Sequence, residues 1–485
     1  MTLQDIQPKC IWKNFELLNA IPRPSKKEKM VIQFMIDFGK QLGLETETDA
    51  IGNVLIRKPA TAGMEDRQTV VLQSHLDMVH QKNNDTVFDF ETQGIQMYVD
   101  GDWVRAHGTT LGADNGLGVA TIMSVLESTD LPHPAIEALF TIDEETGMTG
   151  ALKLKKNWLK GSILLNLDTE DDDEIGVGCA GGIDISASKV YHREAVASES
   201  EAFQLVVKGL NGGHSGVDII KGLGNANKIM ARLLHDLETK VAFGLVSFDG
   251  GSLRNAIPRE AKVELVCEIG LGQDLVNACK LIFDEIKKEF QTIDPGLVLL
   301  IDPIDLPKQQ LSTDDQSALL AMLRVAHNGV YRMSPDIEGL VETSNNVARV
   351  LLQEGNLLIH CLTRSSVETS RDDLANTLKA TFETAGCEVV FSGGYPGWKP
   401  NMDSAILKVL VELYRQLNGG EEAKVVAIHA GLECGILGER NPGMDMISFG
   451  PTIKGAHSPD ERASISSTQK YWEFFKAALA HTPKI

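Results

Sequence analysis

Four short apolar stretches in the first third of the sequence have the length of a β-strand, and each ends in polar or charged residues. They read NVLIRK, TVVLQSHLD, EALFTID and GSILLNLD. The segments around them carry apolar residues at helical spacing, as in LGADNGLGVATIMSVLES between the second and third stretches. Strands separated by helices predict an α/β fold with a mixed, mostly parallel sheet flanked by helices. Ligands of such sheets bind beyond the carboxyl ends of the strands, where the acidic and histidine residues fall.

The pattern changes near residue 186. From about 187 to 394 the sequence predicts strands such as AFQLVVKGL and AKVELVCEIG, a helix at LVNACKLIFDEIKKEF, and a similar strand–strand–helix order further on. After about 395, AILKVLVELYRQL and MDMISFGP resume the helix and strand pattern of the first part. We therefore predict one domain formed by residues 1–186 and 395–485, with an inserted α+β domain at 187–394.

Charge and cysteine content exclude several classes of protein. The 485 residues carry a net charge of −21, which argues against a nucleic-acid or anionic-membrane surface because both need clustered Lys and Arg. No apolar run reaches the roughly 18 residues of a membrane span, and the N-terminus lacks the apolar segment of a signal peptide, so we predict a cytoplasmic protein. The seven cysteines are scattered without a CxxC pair, so any metal site should use His and carboxylates.

Two candidate site residues end the second apolar stretch. His75 and Asp77 in SHLD lie at i and i+2, which places both side chains on one face of a strand. A carboxylate there can fix the tautomer of the imidazole and raise its basicity. The same pair also fits an ordinary junction between a strand and a loop.

Acidic residues follow the next turns and strands. Asp114 lies in the glycine-rich turn GADNGLG before a helix, where it can cap the helix or bridge two cations. The acids Asp143, Glu144 and Glu145 follow the strand EALFTI, where unlike environments can make one a ligand and another a base. A solvated acidic loop is the plainer interpretation of the same run.

The last two candidates complete a ligand set. Asp168 directly follows the apolar strand SILLNL, and His457 lies in the loop GPTIKGAHSPDE. Each signal is weak alone, and a lone His is more often structural. Together, two imidazoles and three carboxylates at strand ends and loops supply ligands for two divalent cations such as zinc. Two such ions roughly 3.5–4 Å apart, bridged by a carboxylate and a water, form a hydrolytic site.

In this order the motifs resemble the M20 metallopeptidase family, and within it the Xaa-His dipeptidases. Further matching stretches include RKPATAGME, GCAGGID, KGLNGGHSG, LRNAIPRE, VETSNN, HAGLECG and GPTIKGAHSPDE. The resemblance runs from near residue 57 to residue 461 and so covers most of the chain.

The resemblance implies a role for each residue of the ligand set. His75 and Asp168 would bind one zinc, Glu145 and His457 would bind the other, and Asp114 would bridge them. Asp77 would orient His75, and Glu144 would be the general base. The implied cofactors are two Zn²⁺ per subunit, although Mn²⁺ or Co²⁺ would fit similar ligands.

The inserted domain would be the family's lid and dimerisation domain. It would supply His214 in GGHSG to stabilise the oxyanion, and Asn255 in RNAIP and Arg364 to bind the substrate's C-terminal carboxylate. The plainer interpretations are a turn at His214 and a surface strand residue at Arg364. A homodimer is also expected from the resemblance, but this lid is longer than that of many relatives.

The function implied by the resemblance is a cytosolic metallo-dipeptidase that hydrolyses Xaa-His and related dipeptides, including carnosine. The alternatives are another amide hydrolase of the family, such as an N-acyl amino acid deacylase or aminoacylase, and a non-catalytic metal-stabilised binding protein. The partner is then a dipeptide substrate, with neither nucleic acid nor membrane. A serine hydrolase is disfavoured because no GxSxG elbow occurs. His429 and Glu433 in HAGLECG receive no role from the sequence.

Overall fold

The computed structural model describes residues 2–485, which divide into two compact units. Among these residues the first unit comprises 2–178, Trp398–Ala427 and Leu432–Ile485, and the second comprises Cys179–Gly397 and Ile428–Gly431. Within residues 2–485, no helix combines the length and the apolar character that crossing a bilayer requires.

The first unit is built on an eight-stranded mixed sheet and a smaller four-stranded sheet. Their strands are β1 Glu45–Thr48, β2 Val54–Lys58, β3 Val70–His75, β4 Met97–Asp100, β5 Trp103–Ala106, β6 Ile136–Thr141, β7 Ile163–Asn166, β8 Glu174–Cys179, β22 Lys424–Ile428, β23 Asp445–Ser448, β24 Ile453–Lys454 and β25 Arg462–Ser464. The large sheet has the order β1-β2-β6-β3-β7-β23-β8-β22, and the small one β24-β25-β5-β4. The pairs β6-β3, β3-β7 and β7-β23 are parallel, whereas β1-β2, β2-β6 and β23-β8 are antiparallel. The predicted α/β class with a mixed sheet is confirmed, and these parallel pairs lie at its centre.

Helices cover the large sheet. They are α1 Lys9–Asn19, α2 Lys29–Gln41, α3 Ala113–Glu127, α4 Glu144–Gly147, α5 Thr149–Leu152, α10 Ala405–Leu417, α11 Glu433–Arg440 and α12 Ile465–Ala480, with a 3-10 turn at Leu3–Asp5. Apolar residues at helical spacing give α1 one buried face, formed by Ile11, Phe15 and Leu18. Helix α3 is buried on all sides from Asn115 to Leu126, because it packs against both α1 and β3.

The parallel centre of the sheet brings the candidate residues to one edge. Strands β3, β6 and β7 are completely buried and run in register, with His75 paired to Thr141 and Gln73 to Asn166. Because parallel strands end on the same side, the loops that follow β3, β6 and β7 are neighbours. His75 ends β3, and the segments after β6 and β7 carry Glu144, Glu145 and Asp168, whereas Asp114 lies at the start of α3 and His457 follows β24.

The second unit is an α+β structure around a nine-stranded sheet. Its strands are β9 Gly181–Val190, β10 Arg193–Ala195, β11 Ser200–Lys208, β12 Gly213–His214, β13 Gly244–Gly251, β14 Ala256–Ile257, β15 Ala261–Glu268, β16 Val298–Pro303, β17 Gln309–Leu311, β18 Gly329–Met333, β19 Val341–Gln353, β20 Asn356–Ser365 and β21 Glu388–Tyr395. The sheet order is β16-β11-β15-β13-β19-β20-β9-β21, with β18 paired to β19, and these pairs are antiparallel. The pairs β10-β17 and β12-β14 form separate small ribbons.

The helices of the second unit are α6 Ala226–Leu237, α7 Gly272–Phe290, α8 Thr313–Val325 and α9 Glu368–Thr384, with a 3-10 turn at Ile219–Lys221. Helix α6 buries Met230, Leu234 and Leu237, spaced three or four residues apart. These side chains belong to one buried apolar cluster that also contains Phe248 and Phe283, so the unit has its own core.

Candidate metal centre

His75 and Asp77 form a fixed pair at the end of β3. Both side chains are buried, and Nδ1 of His75 lies 3.1 Å from the backbone oxygen of Asp77 and 3.4 Å from its Oδ1. The Asp77 carboxylate also accepts hydrogen bonds from Ser25 Oγ at 2.8 Å and from the backbone N–H groups of Glu144 at 3.0 Å and Glu145 at 3.3 Å. Asp77 therefore holds the imidazole and the first turn of α4 in one arrangement.

Asp114 lies between two imidazoles. Its Oδ1 is 3.2 Å from Nε2 of His75, and its Oδ2 is 3.1 Å from Nε2 of His457. The side chain projects from the first turn of α3, where Asp114 has a non-helical backbone and a cis peptide bond joins it to Asn115. One carboxylate thus presents an oxygen to each of two histidines that lie far apart in the sequence.

A second carboxylate accompanies each imidazole. Oε2 of Glu145 lies 3.0 Å from Nε2 of His457, and Oδ1 of Asp168 lies 3.6 Å from Nε2 of His75. One ligand atom from each of His75, Asp114 and Glu145 lies within 4.8 Å of the others. The five predicted ligands therefore converge as two imidazole–carboxylate pairs joined by Asp114.

The electrostatics of this cluster show an excess of negative charge. Hydrogen bonds to Asp114 and Glu145 raise the pKa of His457 to about 11. Burial lowers the pKa of His75, but Asp168, Asp114 and Asp77 outweigh it and hold that pKa well above its usual value. Burial has the opposite effect on a carboxyl group, and it holds the pKa of Asp168 well above its usual range. Buried carboxylates in such numbers need positive charge close by.

The donor atoms fit divalent cations. Oε1 of Glu145 and Oδ1 of Asp168 are buried, and neither has a hydrogen-bond partner among residues 2–485. Buried oxygens without partners are costly unless a cation satisfies them. Imidazole nitrogens with carboxylate oxygens form the ligand set of zinc, and manganese or cobalt accept similar ligands.

Glu144 is the carboxylate beside this ligand set. Burial raises its pKa to about 8, assisted by Glu433, Glu145 and Asp114 and opposed by His75. A carboxyl group with a pKa near neutrality can both accept and return a proton. Its backbone N–H bond to Asp77 fixes the start of α4, so the position of Glu144 is tied to that of His75.

Sequence reasoning missed two buried charged residues that hold the backbone of the site. Glu461 accepts hydrogen bonds from four successive backbone N–H groups, those of residues 111–114. Arg23 donates to the carbonyl oxygens of Leu76, Asp77 and Gly112. Glu461 lies four residues after His457 in the motif GPTIKGAHSPDE, so its closeness to a predicted ligand could have suggested a role at the site. The PRPS segment around Arg23 offered no comparable signal.

A row of polar side chains crosses the sheet beneath the ligands. Thr141 on β6 and Gln73 on β3 each donate to Oε2 of Glu433 at 2.6 Å. Asn166 on β7 donates to Gln73 at 2.6 Å, and Ser448 on β23 donates to Asn166 at 2.6 Å. Burial raises the pKa of Glu433 to about 7. The row links the four central strands near their carboxyl ends, next to the candidate site. Glu433 is the carboxylate that accepts hydrogen bonds from two members of this row, a role that the sequence did not predict.

In the second unit, Arg364 and His214 have defined surroundings. Arg364 is 4% exposed and donates from Nη1 to Tyr395 Oη at 2.6 Å, so it is not a surface strand residue. Nδ1 of His214 accepts backbone N–H groups from Gly216 at 3.1 Å and Val217 at 3.2 Å, which leaves Nε2–H as the donor of a neutral ring. Burial and the nearby Arg364 lower the pKa of His214.

The other two residues of this unit differ in exposure. The side chain of Asn255 is exposed, and its backbone oxygen accepts the N–H of Ser215 at 2.8 Å. His429 is buried, and its Nε2 lies 2.7 Å from Ser344 Oγ. Burial, with Arg364 nearby, lowers the pKa of His429 to about 3. His429 therefore stays neutral over the physiological range.

Comparison with known proteins gives consistent matches over the whole chain. The family model for peptidase family M20/M25/M40 matches residues 71–481. The chain is 43% identical over 485 residues to the cytosol non-specific dipeptidase of Escherichia coli, covering 99% of each protein. The crystal structure of aminoacylhistidine dipeptidase from Vibrio alginolyticus matches with a TM-score of 0.94 and 43% identity, covering 100% of this chain and 99% of that one. Aminopeptidase PepT from Bacillus cereus, at 15% identity and a TM-score of 0.57 over 98% of each chain, shares the fold.

Proposed function

We propose that this chain, which belongs to peptidase family M20/M25/M40 and is a peptide-bond hydrolase, acts as a di-zinc dipeptidase on Xaa-His and related dipeptides, including carnosine. The family predicted from the motifs is confirmed, as is the prediction of a peptide-bond hydrolase. The observation that carries the proposal is the Asp114 carboxylate between two imidazoles, each with its own second carboxylate. Two relatives at 43% identity bear the names of dipeptidases, which supports dipeptides as the substrate class.

Five residues would hold the two cations. His75 and Asp168 would bind one, His457 and Glu145 the other, and Asp114 both. When bound, two divalent cations lower the pKa of a water molecule and polarise the scissile carbonyl. Glu145 Oε1 and Asp168 Oδ1 support this assignment, because both are buried carboxylate oxygens without a hydrogen-bond partner among the described residues.

Glu144 would carry the proton through the reaction. Its carboxylate would take a proton from the attacking water, and the carboxyl would return that proton to the leaving amine as the C–N bond breaks. Asp77 would hold the His75 ring in one orientation while it also holds the N-terminus of α4. A shift of Asp77 would therefore disturb a ligand and the base together.

Three residues of the second unit would bind substrate. The Nε2–H of His214 would donate to the oxyanion, since its Nδ1 is already occupied by two backbone N–H groups. Arg364, with Asn255, would bind the C-terminal carboxylate. Arg364 is buried, and its Nε has no hydrogen-bond partner among the described residues, so the guanidinium is suited to bind an anionic group of a ligand. We further propose that the protein acts in the cytosol as a homodimer, which light scattering of the purified protein would test.

The deciding experiment combines metal analysis with substrate profiling. Purified protein should contain two equivalents of zinc and hydrolyse carnosine and other Xaa-His dipeptides. Chelation should abolish turnover, and zinc, manganese or cobalt should restore it. Faster cleavage of N-acyl amino acids than of any dipeptide would instead make the chain a deacylase. Metal-stabilised protein without turnover on either substrate class would make it a binding protein.

A further inference from the structure

The loop before α3 is held by a carboxylate from a distant part of the chain. Oε2 of Glu461 accepts the backbone N–H of Leu111 at 2.7 Å and of Gly112 at 2.9 Å. Oε1 accepts the N–H of Ala113 at 2.7 Å and of Asp114 at 3.2 Å. Glu461 is 2% exposed, so these four bonds form in a nearly dry environment where they are strong.

A guanidinium also binds this loop. Arg23, 1% exposed, donates to the carbonyl oxygen of Gly112 at 2.5 Å and to those of Leu76 and Asp77 at 3.1 Å. Gly112 has a φ of +69°, and an added Cβ would lie 2.5 Å from Nη2 of Arg23, so both conformation and space require glycine. Glu461 thus binds the N–H of Gly112, and Arg23 binds its C=O.

This arrangement explains why Asp114 is available to the imidazoles. The first N–H groups of a helix have no partner within the helix, and an acidic side chain in the first turn commonly accepts them. In α3 the N-cap residue is Gly112, which has no side chain to accept them, and the Glu461 carboxylate binds these groups instead. The Asp114 carboxylate is therefore left to face His75 and His457.

We propose that Glu461 is a positioning residue of the metal centre, which holds the loop 111–114 so that Asp114 reaches both imidazoles and thereby sets the affinity for the cations. The inference rests on the proposed two-cation function. Glu461 would touch neither substrate nor cation. It would act through Asp114, and also through His457, because the five-residue segment 457–461 carries both a ligand and the carboxylate that anchors the bridging loop.

Glu461→Ala tests the proposal through metal affinity. The substitution leaves a nest of four N–H groups that can bind a small anion. We expect the dissociation constant for zinc, measured by competition with a chromogenic chelator, to rise about 10- to 100-fold, as for other residues that support metal ligands. Added formate should restore a large part of the affinity in Glu461→Ala and leave the wild type unchanged. Asp460→Ala is the matched control, because Asp460 is the exposed neighbouring carboxylate in the same loop.

Glu461→Gln keeps the test decisive if the alanine variant does not fold. Its amide oxygen can still accept two N–H groups while its NH₂ opposes the others, so we expect weakened zinc binding that formate does not restore. A residue that only stabilises the fold would lower the melting temperature of metal-free and zinc-loaded protein equally, with zinc affinity unchanged, and this result overturns the proposal. Weakened affinity in Glu461→Ala that formate leaves unaltered overturns it as well. Failure of the wild type to bind two cations would instead refute the proposed function itself.

Discussion

The ionisable groups around the candidate site residues differ in charge between the two units. In the first unit, the carboxylates Asp114, Glu145 and Asp168 surround two imidazoles. In the second unit, the buried guanidinium of Arg364 lies near two imidazoles. Three carboxylates accompany the two imidazoles of the first set, whereas in the second set burial and the guanidinium lower the pKa values of both imidazoles. Under the proposed function, the first set would hold a pair of cations and the second would bind the substrate carboxylate.

Two histidines show how far the surroundings decide the chemistry. Hydrogen bonds to Asp114 and Glu145 raise the pKa of His457 to about 11, whereas burial, with Arg364 nearby, lowers the pKa of His429 to about 3. The residue type is the same, and the shifts have opposite signs. Each of the variants below removes one ionisable group from one of the two units.

The largest effect is expected from Asp114→Ala. It removes the only carboxylate that faces both imidazoles among residues 2–485, so both cations should lose affinity together. We expect zinc content below one equivalent per chain and loss of dipeptide hydrolysis to the background rate. Inductively coupled plasma analysis of the dialysed variant measures the first, and carnosine turnover the second. Full zinc content with full turnover would disprove the bridging role of Asp114.

Glu144→Gln should separate metal binding from proton transfer. The amide has nearly the same shape but cannot take a proton from water, so kcat should fall by about 10² to 10⁴ while zinc content stays at the wild-type level. Thr146→Ala on the same short helix serves as the control, because Thr146 is exposed and its hydroxyl bonds to Asp143. A kcat within a few-fold of wild type would remove Glu144 from the mechanism.

The sequence predicted those features that depend on local pattern. Strand-length apolar stretches ending in acids or histidines indicated an α/β sheet, because residues after parallel strands share one edge. The structure brings all five predicted ligands together at that edge, including His457, which the sequence separates from His75 by most of the chain. Their roles as metal ligands stay predictions, whereas the fold class and the family are confirmed.

Glu461, Arg23 and the polar row under the site were not predicted. Every residue except proline has a backbone N–H, so a carboxylate that binds these groups requires no particular side chains in the loop. The sequence of residues 111–114 therefore gives no sign that Glu461 binds there. The row that ends at Glu433 joins one residue from each of four strands, and such a contact depends on strand order. Hydrophobic periodicity reports which face of a strand is buried, but it does not report which strands are neighbours.

Arg364→Ala should weaken substrate binding, with an intermediate effect. Loss of a charge-assisted hydrogen bond to the substrate carboxylate costs about 1.5–3 kcal/mol, or roughly 10- to 150-fold in kcat/KM. The lower kcat/KM should result mainly from a higher KM. It should not occur for dipeptide amides, which lack the carboxylate. Tyr395→Phe removes the hydrogen-bond partner of Arg364 but keeps the charge, so it should change kcat/KM little. Equal losses for dipeptides and their amides would show that Arg364 does not bind the carboxylate.

The last prediction concerns acid stability, which is expected to leave activity at neutral pH unchanged, and it tests the second unit alone. His429 has a pKa of about 3 in the folded state and roughly 6.5 when unfolded, so the unfolded chain binds the proton more tightly. The contribution of neutral His429 is complete above about pH 6.5 and is lost as the pH falls toward 3, at no more than about 1.4 kcal/mol per pH unit. His429→Asn should therefore flatten the decline of unfolding free energy between pH 6.5 and 4, measured with urea. His192→Asn, an exposed histidine of the same unit, should leave that slope unchanged, and equal slopes in all three proteins would show that His429 is not buried as a neutral ring.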